Sequence, residues 1–505
     1  MTDTTLLSLL AKGEDGAPAI SAPGRKPLTH GGLRALTAST VERLNALGIG
    51  REDRVAMVLP NGPEMAAAFV AVGAGATTAP LNPGYRAEEF DFYLTDLKAK
   101  ALLVEAGSES PALEVAAKHR IPTIELTLPE GAAAGAFELS GEKIGAAAKT
   151  GPAEAGDIAL ILHTSGTTSR PKLVPLSQAN LAASARHIGE ALALTPQDRC
   201  LNIMPLFHIH GLIAAVLSSL AAGASVFCTP GFNALKVFQW MGEAEPSWYT
   251  AVPTMHQAIL SRAARNAEAV AALKLRLIRS SSSSLPPQVM TELEATFGCP
   301  VIESYGMTEA AHQMASNPLP PAERKPGSVG IAAGPEVAVM DSAGKLRAAG
   351  ETGEIVIRGP NVTSGYENNP KANEEAFAHG WFHTGDQGVL DEAGYLRITG
   401  RLKEIINRGG EKISPREVDE VLMDHPAVAQ VVTFALPHDK LGEEVAAAVV
   451  LREDQELSER ALRDFAAERL ADFKVPRRIL FLEEIPKGAT GKLQRIGLAE
   501  KLGLV

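Results

Sequence analysis

The sequence predicts an α/β protein with a large N-terminal domain of two layered, mostly parallel sheets and a small β subdomain, followed by a small α/β C-terminal domain. Three observations predict it. Apolar runs of strand length alternate with helix-like runs through most of the chain, which is the pattern of parallel sheets covered by helices. From about Val329 the texture changes to shorter strands separated by Gly, Asn and Asp turns. The stretch TGRLKEIINRGGEKISP, Thr399 to Pro415, is then rich in charge and turn residues and precedes a fresh helical pattern, dividing the chain into residues 1–402 and 403–505. A chain of 505 residues, 45% hydrophobic, is long enough to bury the cores this arrangement needs.

In order, RVAMVLP (54–60) reads as a strand and NGPEMAAAFVAVGAGA as the helix after it. AKALLVEA (99–106), DIALILHT (157–164) and SVFCTP (225–230) read as strands, each running into a turn-rich segment. The Ala/Gly/Glu-rich stretch Gly131 to Gly156 reads as surface loop. LIAAVLSSLAAGASVF (212–227) is too short and too interrupted by Ser and Gly to span a membrane, so it reads as core helix running into strand. GEIVIRGPNVTSGY and GYLRITGR read as antiparallel strands. PREVDEVLMDH starts a helix with Pro415 near its first turn and Val418, Val421 and Leu422 on one face; VAQVVTFAL and EEVAAAVVL supply the last domain's strands.

A net charge of −11 argues against nucleic acid or an anionic membrane surface as a partner. Cys200, Cys228 and Cys299 are isolated and show no zinc or disulfide spacing. The N-terminus MTDTTLLSLLAKGEDG carries Asp3 where an export signal needs positive charge, so a cytoplasmic protein is expected.

The segment HTSGTTSRPK (163–172) follows the strand DIALILHT directly, at the carboxyl end where α/β folds place ligands. The hydroxyls of Thr164, Ser165, Thr167 and Thr168, the unencumbered backbone of Gly166 and the charge of Lys172 make the chemistry of a polyphosphate cradle. The pattern GxxxxGK[ST] is absent here, so this is no Walker loop. The bland alternative is a polar turn between strand and helix.

TSGTT with RPK, together with PLFHIHG (205–211), SYGMTE (304–309), WFHTGD (381–386), TGRLKE (399–404) and PKGATGK (486–492) in that order, resembles the adenylate-forming superfamily of acyl-CoA synthetases, luciferases and adenylation domains. The resemblance implies that a carboxylate attacks the α-phosphorus of ATP to give an acyl-adenylate and pyrophosphate, and that a thiol, here coenzyme A, then attacks the adenylate. It implies Lys492 between the α-phosphate and the attacking carboxylate, Glu309 as the protein ligand of Mg²⁺, and Thr308 on the α-phosphate. Within the nucleotide site it places Ser304, Tyr305 and Gly306 around the adenine, and Asp386 and Arg401, both read as turn residues, on the ribose. The resemblance further implies a mobile C-terminal domain with Lys403 at its hinge, and Gly409 and Gly410 along the thiol's path. For His208 the resemblance implies a gate between the acid and thiol routes.

For a long apolar acid the pocket should be apolar. Instead His208, His210, Arg279, Ser282 within the run Ser280 to Ser284, and His312 crowd the expected pocket, a set suited to a second carboxylate. A short diacid is therefore favoured. HTSGTTSRPK, PLFHIHGL, WYTAVPTMHQ, SNPLPP, KPGSVG, RGPNVTSGY and INRGGEKISP resemble, within the superfamily, the oxalyl-CoA synthetases. Two departures stand out: the SSSSS run replaces a mixed Ser/Cys/Ala segment, and the tail KLGLV lacks a peroxisomal address. Ligation of another small dicarboxylic, medium-chain or aromatic acid, or loading of a carrier protein, are the alternatives. A monomer or homodimer is expected.

Overall fold

The computed structural model describes residues 4–164, 171–487 and 493–505. Ser165, Gly166, Thr167, Thr168 and Lys492 lie outside the described residues.

Among the described residues, the strands form four sheets. The first orders Glu138–Gly141, Thr123–Thr127, Ala101–Glu105, Arg54–Val58, Thr77–Pro80, Ile158–Thr164 and Lys172–Ser177; its middle is parallel and both its edges are antiparallel. The second runs in parallel from Pro18–Ser21 through Ser225–Cys228, Arg199–Asn202, Trp248–Ala251 and Leu277–Ser280 to Val301–Met307, and turns antiparallel at both ends. Helix Pro63–Gly73 follows Arg54–Val58 and is buried at every position but Glu64, as a helix apolar on all sides must be. It joins a core that draws Met57, Leu103 and Leu160 from the first sheet and Val226, Trp248 and Leu277 from the second. Burying so much Val, Leu and Ile surface is what holds the two layers together.

Glu336–Met340, Thr352–Arg358, Phe382–Leu390 and Leu396–Arg401 make the expected antiparallel subdomain. The C-terminal part is richer in strand than expected: Ile406–Arg408, Glu411–Ile413, Val428–His438, Gly442–Leu451 and Arg478–Phe481 form one sheet, and Val418 and Leu422 of helix Pro415–Met423 are buried in its own core. That core is separate from those of the N-terminal part. Polar contacts between the two parts include Gln257 Nε2 donating to the Ala429 carbonyl at 2.9 Å and Arg452 pairing with Glu292 at 3.2 Å.

Two readings need correction. Gly131–Gly156 is not all loop, because Glu138–Gly141 pairs with Thr123–Thr127 and extends the first sheet, with Leu139 buried in the core. Also, HTSGTTSRPK connects two antiparallel strands, not a strand and a helix, since Thr164 lies directly opposite Lys172. The three cysteines are buried and form no disulfide. No helix among the described residues is long and apolar enough to cross a membrane.

Candidate active site

Three side-chain clusters gather the sequence-predicted residues. The first is built on the antiparallel subdomain. Asp386 and Arg401 are not turn residues: they face each other in register on Phe382–Leu390 and Leu396–Arg401, so strand pairing sets their spacing. Asp386 is buried, its Oδ1 accepts from Arg401 Nε at 3.0 Å, and its Oδ2 accepts a short hydrogen bond from the Tyr305 hydroxyl. Burial, then the Asp386 charge, pushes the Tyr305 phenol well above its ordinary value, so it remains a donor. The Asp386 charge raises Arg401 in turn.

The second cluster lies where strands Ile158–Thr164 and Lys172–Ser177 pair at Thr164 and Lys172. Lys172 Nζ sits 4.2 Å from the centre of the Tyr366 ring, and the Tyr366 hydroxyl donates to Glu309 Oε1 at 2.8 Å. Burial raises the Glu309 carboxyl above the usual range, and burial lowers Lys172 while the Glu309 charge raises it. Lys403 is close enough to oppose the Lys172 charge, which puts the expected hinge residue beside this cluster. Glu309 sits in the short turn Thr308–Ala310 between strands Val301–Met307 and His312–Ser316. The Thr363 N–H donates to the Glu309 carbonyl at 2.7 Å, and Asn361 Nδ2 donates to the carbonyls of Ala310 and Gln313, both at 2.8 Å. Gly306 is required where the hairpin closes, because a Cβ there would lie 1.8 Å from the His312 carbonyl oxygen.

No group of three His, Cys, Asp or Glu side chains among the described residues is placed to hold a metal. Glu309 fits magnesium in the way that ion is usually held, by one protein carboxylate with phosphate and water completing the shell. A buried anion beside a single lysine is also a place where added positive charge is favourable.

The third cluster is the expected acid pocket. His210 begins a buried π-helical segment, His210–Leu217, a helix form frequent at functional sites. Its Nδ1 lies 3.0 Å from Ser282 Oγ and its Nε2 lies 2.6 Å from Thr250 Oγ1. The His312 ring packs edge-on to it with centroids 5.0 Å apart. Ser282 is half-buried and non-glycine at φ +73°, a conformation that costs of order 1–3 kcal/mol and persists where the surroundings enforce it. The His210 backbone N–H donates to His208 Nδ1 at 3.2 Å, which ties the expected gate residue to the pocket. Arg279 departs from expectation. It is fully buried in Leu277–Ser280, behind Thr250 and Gln313, and so has no surface to offer an acid directly.

Ser304 lies beneath this layer, its hydroxyl donating to the Ser280 carbonyl at 3.3 Å. Gly409 and Gly410, at φ +60° and +97°, form the turn between Ile406–Arg408 and Glu411–Ile413, beside Leu441. They are thus part of the C-terminal sheet. Sequence reading missed Tyr366, Asn361, Thr250 and Gln313. Tyr366 and Asn361 lie within RGPNVTSGY, where a lone tyrosine or asparagine gives no sign of a partner 57 or 51 residues away.

Under the second layer, Glu303 on Val301–Met307 accepts from the Leu285 N–H at 2.9 Å, and burial raises its carboxyl to about 7 against the pull of Arg416 in the C-terminal part. A carboxyl that holds its proton more tightly folded than unfolded adds stability below its ordinary value near 4.5, and that contribution is lost as pH rises to 7. Glu303→Gln keeps the acceptor and removes the ionisation. Its apparent Tm should match wild type at pH 4 and exceed it at pH 8, by up to about 3 kcal/mol of stability. An equal difference at both pH values contradicts the buried-carboxyl assignment.

Fold and site together define an enzyme that binds adenylate. The AMP-binding enzyme family matches residues 10–367 and its C-terminal domain matches residues 417–492, and the chain belongs to this family. The Probable CoA ligase CCL9 of Humulus lupulus is 47% identical over 508 residues, covering 99% of this chain and 96% of that protein. The Oxalate–CoA ligase of Arabidopsis thaliana is 46% identical over 496 residues, covering 97% of this chain and 96% of that protein. ATP-bound MatB from Rhodopseudomonas palustris superposes with a TM-score of 0.88 at 30% identity over 99% of both chains, against 0.79 for the same protein without ATP. The structure here therefore resembles the ATP-bound form more closely.

Proposed function

We propose that this protein is an ATP-dependent oxalate:CoA ligase that forms oxalyl-adenylate and then oxalyl-CoA. The observation that carries the choice of acid is the third cluster. A cluster in which half-buried Ser282 reaches the surface, backed by the buried His210 and His312, offers a polar group where a fatty or aromatic acid needs apolar walls, and the high identity to an oxalate–CoA ligase over nearly the whole chain supports the same acid.

In the first half-reaction one carboxylate oxygen of the acid attacks the α-phosphorus of ATP, the bond to the β-phosphate oxygen breaks, and pyrophosphate leaves. Two anions must meet while charge builds on the phosphoryl oxygens, so the task is electrostatic. Thr164, Ser165, Gly166, Thr167, Thr168 and Lys172 grip the β- and γ-phosphates. Tyr305, with Ser304 and Gly306 behind it, supports the adenine, Asp386 and Arg401 bind the ribose, and Thr308 binds the α-phosphate. Lys492 spans carboxylate and α-phosphate. Mg²⁺, held by Glu309, would supply further neutralisation of the phosphates. In the second half-reaction the CoA sulfur attacks the acyl carbon, the carbon–oxygen bond to AMP breaks, and AMP leaves. We assign the domain boundary to 402/403, with Lys403 as the hinge that lets residues 403–505 turn between the two half-reactions, withdrawing Lys492 and bringing Gly409 and Gly410 to the thiol. The polar contacts between the two parts, which cost little to exchange, support such a turn.

Pyrophosphate release measured across oxalate, malonate, acetate, octanoate and cinnamate tests the acid. Oxalate is expected to give the highest kcat/KM, with malonate next; a preference for octanoate or cinnamate overturns the assignment.

A further inference from the structure

Arg279 is a buried cation for which the described residues provide no carboxylate. Its Nη2 donates to Gln313 Oε1 at 3.2 Å and its Nη1 to Thr250 Oγ1 at 3.4 Å. The orientation of the Gln313 amide is fixed by its Nε2, which donates to the carbonyls of His187 at 3.1 Å and Ala333 at 3.2 Å, leaving Oε1 for the guanidinium. Burial lowers Arg279 to about 9, which still leaves it cationic at neutral pH.

A guanidinium only donates, so Thr250 Oγ1 accepts from it. Thr250 is fully buried, and among the described residues its hydroxyl has one other hydrogen-bond partner, His210 Nε2 at 2.6 Å. Its proton must go there, because a buried hydroxyl proton without an acceptor is costly. His210 Nε2 is then the acceptor and Nδ1 carries the hydrogen, which it donates to Ser282 Oγ at 3.0 Å. Ser282 Oγ, having accepted, keeps its own proton to give elsewhere. With the opposite tautomer, Ser282 would spend that proton on Nδ1 and present only lone pairs to the pocket. Among the described residues, the titratable or charged groups around His210 include His312 against its ring, His208 on the same segment, and Arg279 through Thr250.

We propose that Arg279 and Thr250 are positioning residues that hold His210 in its Nδ1–H tautomer and thereby aim the Ser282 hydroxyl proton at the carboxylate of the bound acid. Resting on the proposed acid site, this explains why a fully buried arginine sits behind it. The cation acts two hydrogen bonds away, by deciding which way each proton points. A carboxylate accepts such a proton, whereas an apolar acid chain gains nothing from it.

The test uses the full-length enzyme with ¹⁵N-labelled histidine and no acid present, so that the tautomer is read independently of which acid is the substrate. The His210 resonances, identified by their loss in His210→Asn, should show a protonated Nδ1 and an unprotonated Nε2 in wild type. Thr250→Val, close to isosteric, should lose that assignment and raise the KM for oxalate about 10- to 100-fold, the range of one hydrogen bond to a charged group, while the KM for ATP stays within about twofold. Thr250→Ser, which returns the hydroxyl, should rescue both readouts. A wild-type His210 protonated at Nε2, or a Thr250→Val enzyme with unchanged tautomer and unchanged KM for oxalate, overturns the proposal. Failure of oxalate as a substrate for wild type, with the tautomer response intact, would instead count against the acid assignment alone.

Discussion

Lys492→Ala is expected to lower pyrophosphate release from oxalate and ATP by about 10²- to 10³-fold or more, the range measured when one group that stabilises transition-state charge is removed. The reason is specific to the first half-reaction. An anion attacks a triphosphate, and in the role proposed for it the cationic side chain of Lys492 neutralises both as they meet. In the second half-reaction a thiol attacks a neutral acyl carbon and Lys492 has no comparable charge to neutralise. CoA acylation from supplied oxalyl-adenylate, followed as thiol consumption, should therefore stay within about threefold of wild type, a change too small to come from losing a transition-state charge contact. Equal loss of both half-reactions would remove the assigned role.

Glu309→Gln is the second large effect. Glutamine keeps the shape and can still accept from the Tyr366 hydroxyl, so the Thr308–Ala310 turn and its ties to Asn361 and Thr363 should survive. What is lost is the negative charge beside Lys172 that the resemblance assigns to Mg²⁺. Adenylation should fall about 10²-fold or more, with the Mg²⁺ concentration for half-maximal rate shifted upward. Pyrophosphate release at the wild-type rate, with an unchanged Mg²⁺ dependence, would show that this carboxylate does not serve the ion. Tyr366→Phe offers a milder companion, since it removes the hydroxyl that accounts for the Glu309 hydrogen bond and keeps the ring under Lys172.

Much of this organisation is legible in the sequence because it depends on local signals. Strands such as Ile158–Thr164 are continuous apolar runs, and the helix at Pro415 starts on a proline with its apolar face evenly spaced. Motifs in a fixed order locate the nucleotide end. What the sequence hides is pairing across long separations. Asp386 and Arg401 look like turn residues beside Gly385 and Gly400, and only strand register reveals that they are set face to face. Arg279 looks like an acid ligand because it stands next to Ser280, but alternation along Leu277–Ser280 and the covering of both sheet faces put its side chain behind Thr250. Tyr366 is an unremarkable aromatic until the fold brings it between Lys172 and Glu309. Gly131–Gly156 is a low-complexity stretch whose one short strand is defined by its partner, Thr123–Thr127, more than by its own residues.

The claim on which the rest depends is that an oxalate carboxylate attacks the α-phosphorus of ATP and is then passed to CoA. Oxalate labelled with ¹⁸O at every oxygen, incubated with ATP, Mg²⁺, CoA and the enzyme, measures it directly by mass spectrometry of the products. The attacking oxygen stays on phosphorus when the thiol displaces AMP, so AMP should carry one labelled oxygen, pyrophosphate none, and oxalyl-CoA the remaining three. Unlabelled AMP, or ADP with the label in inorganic phosphate, would contradict the account.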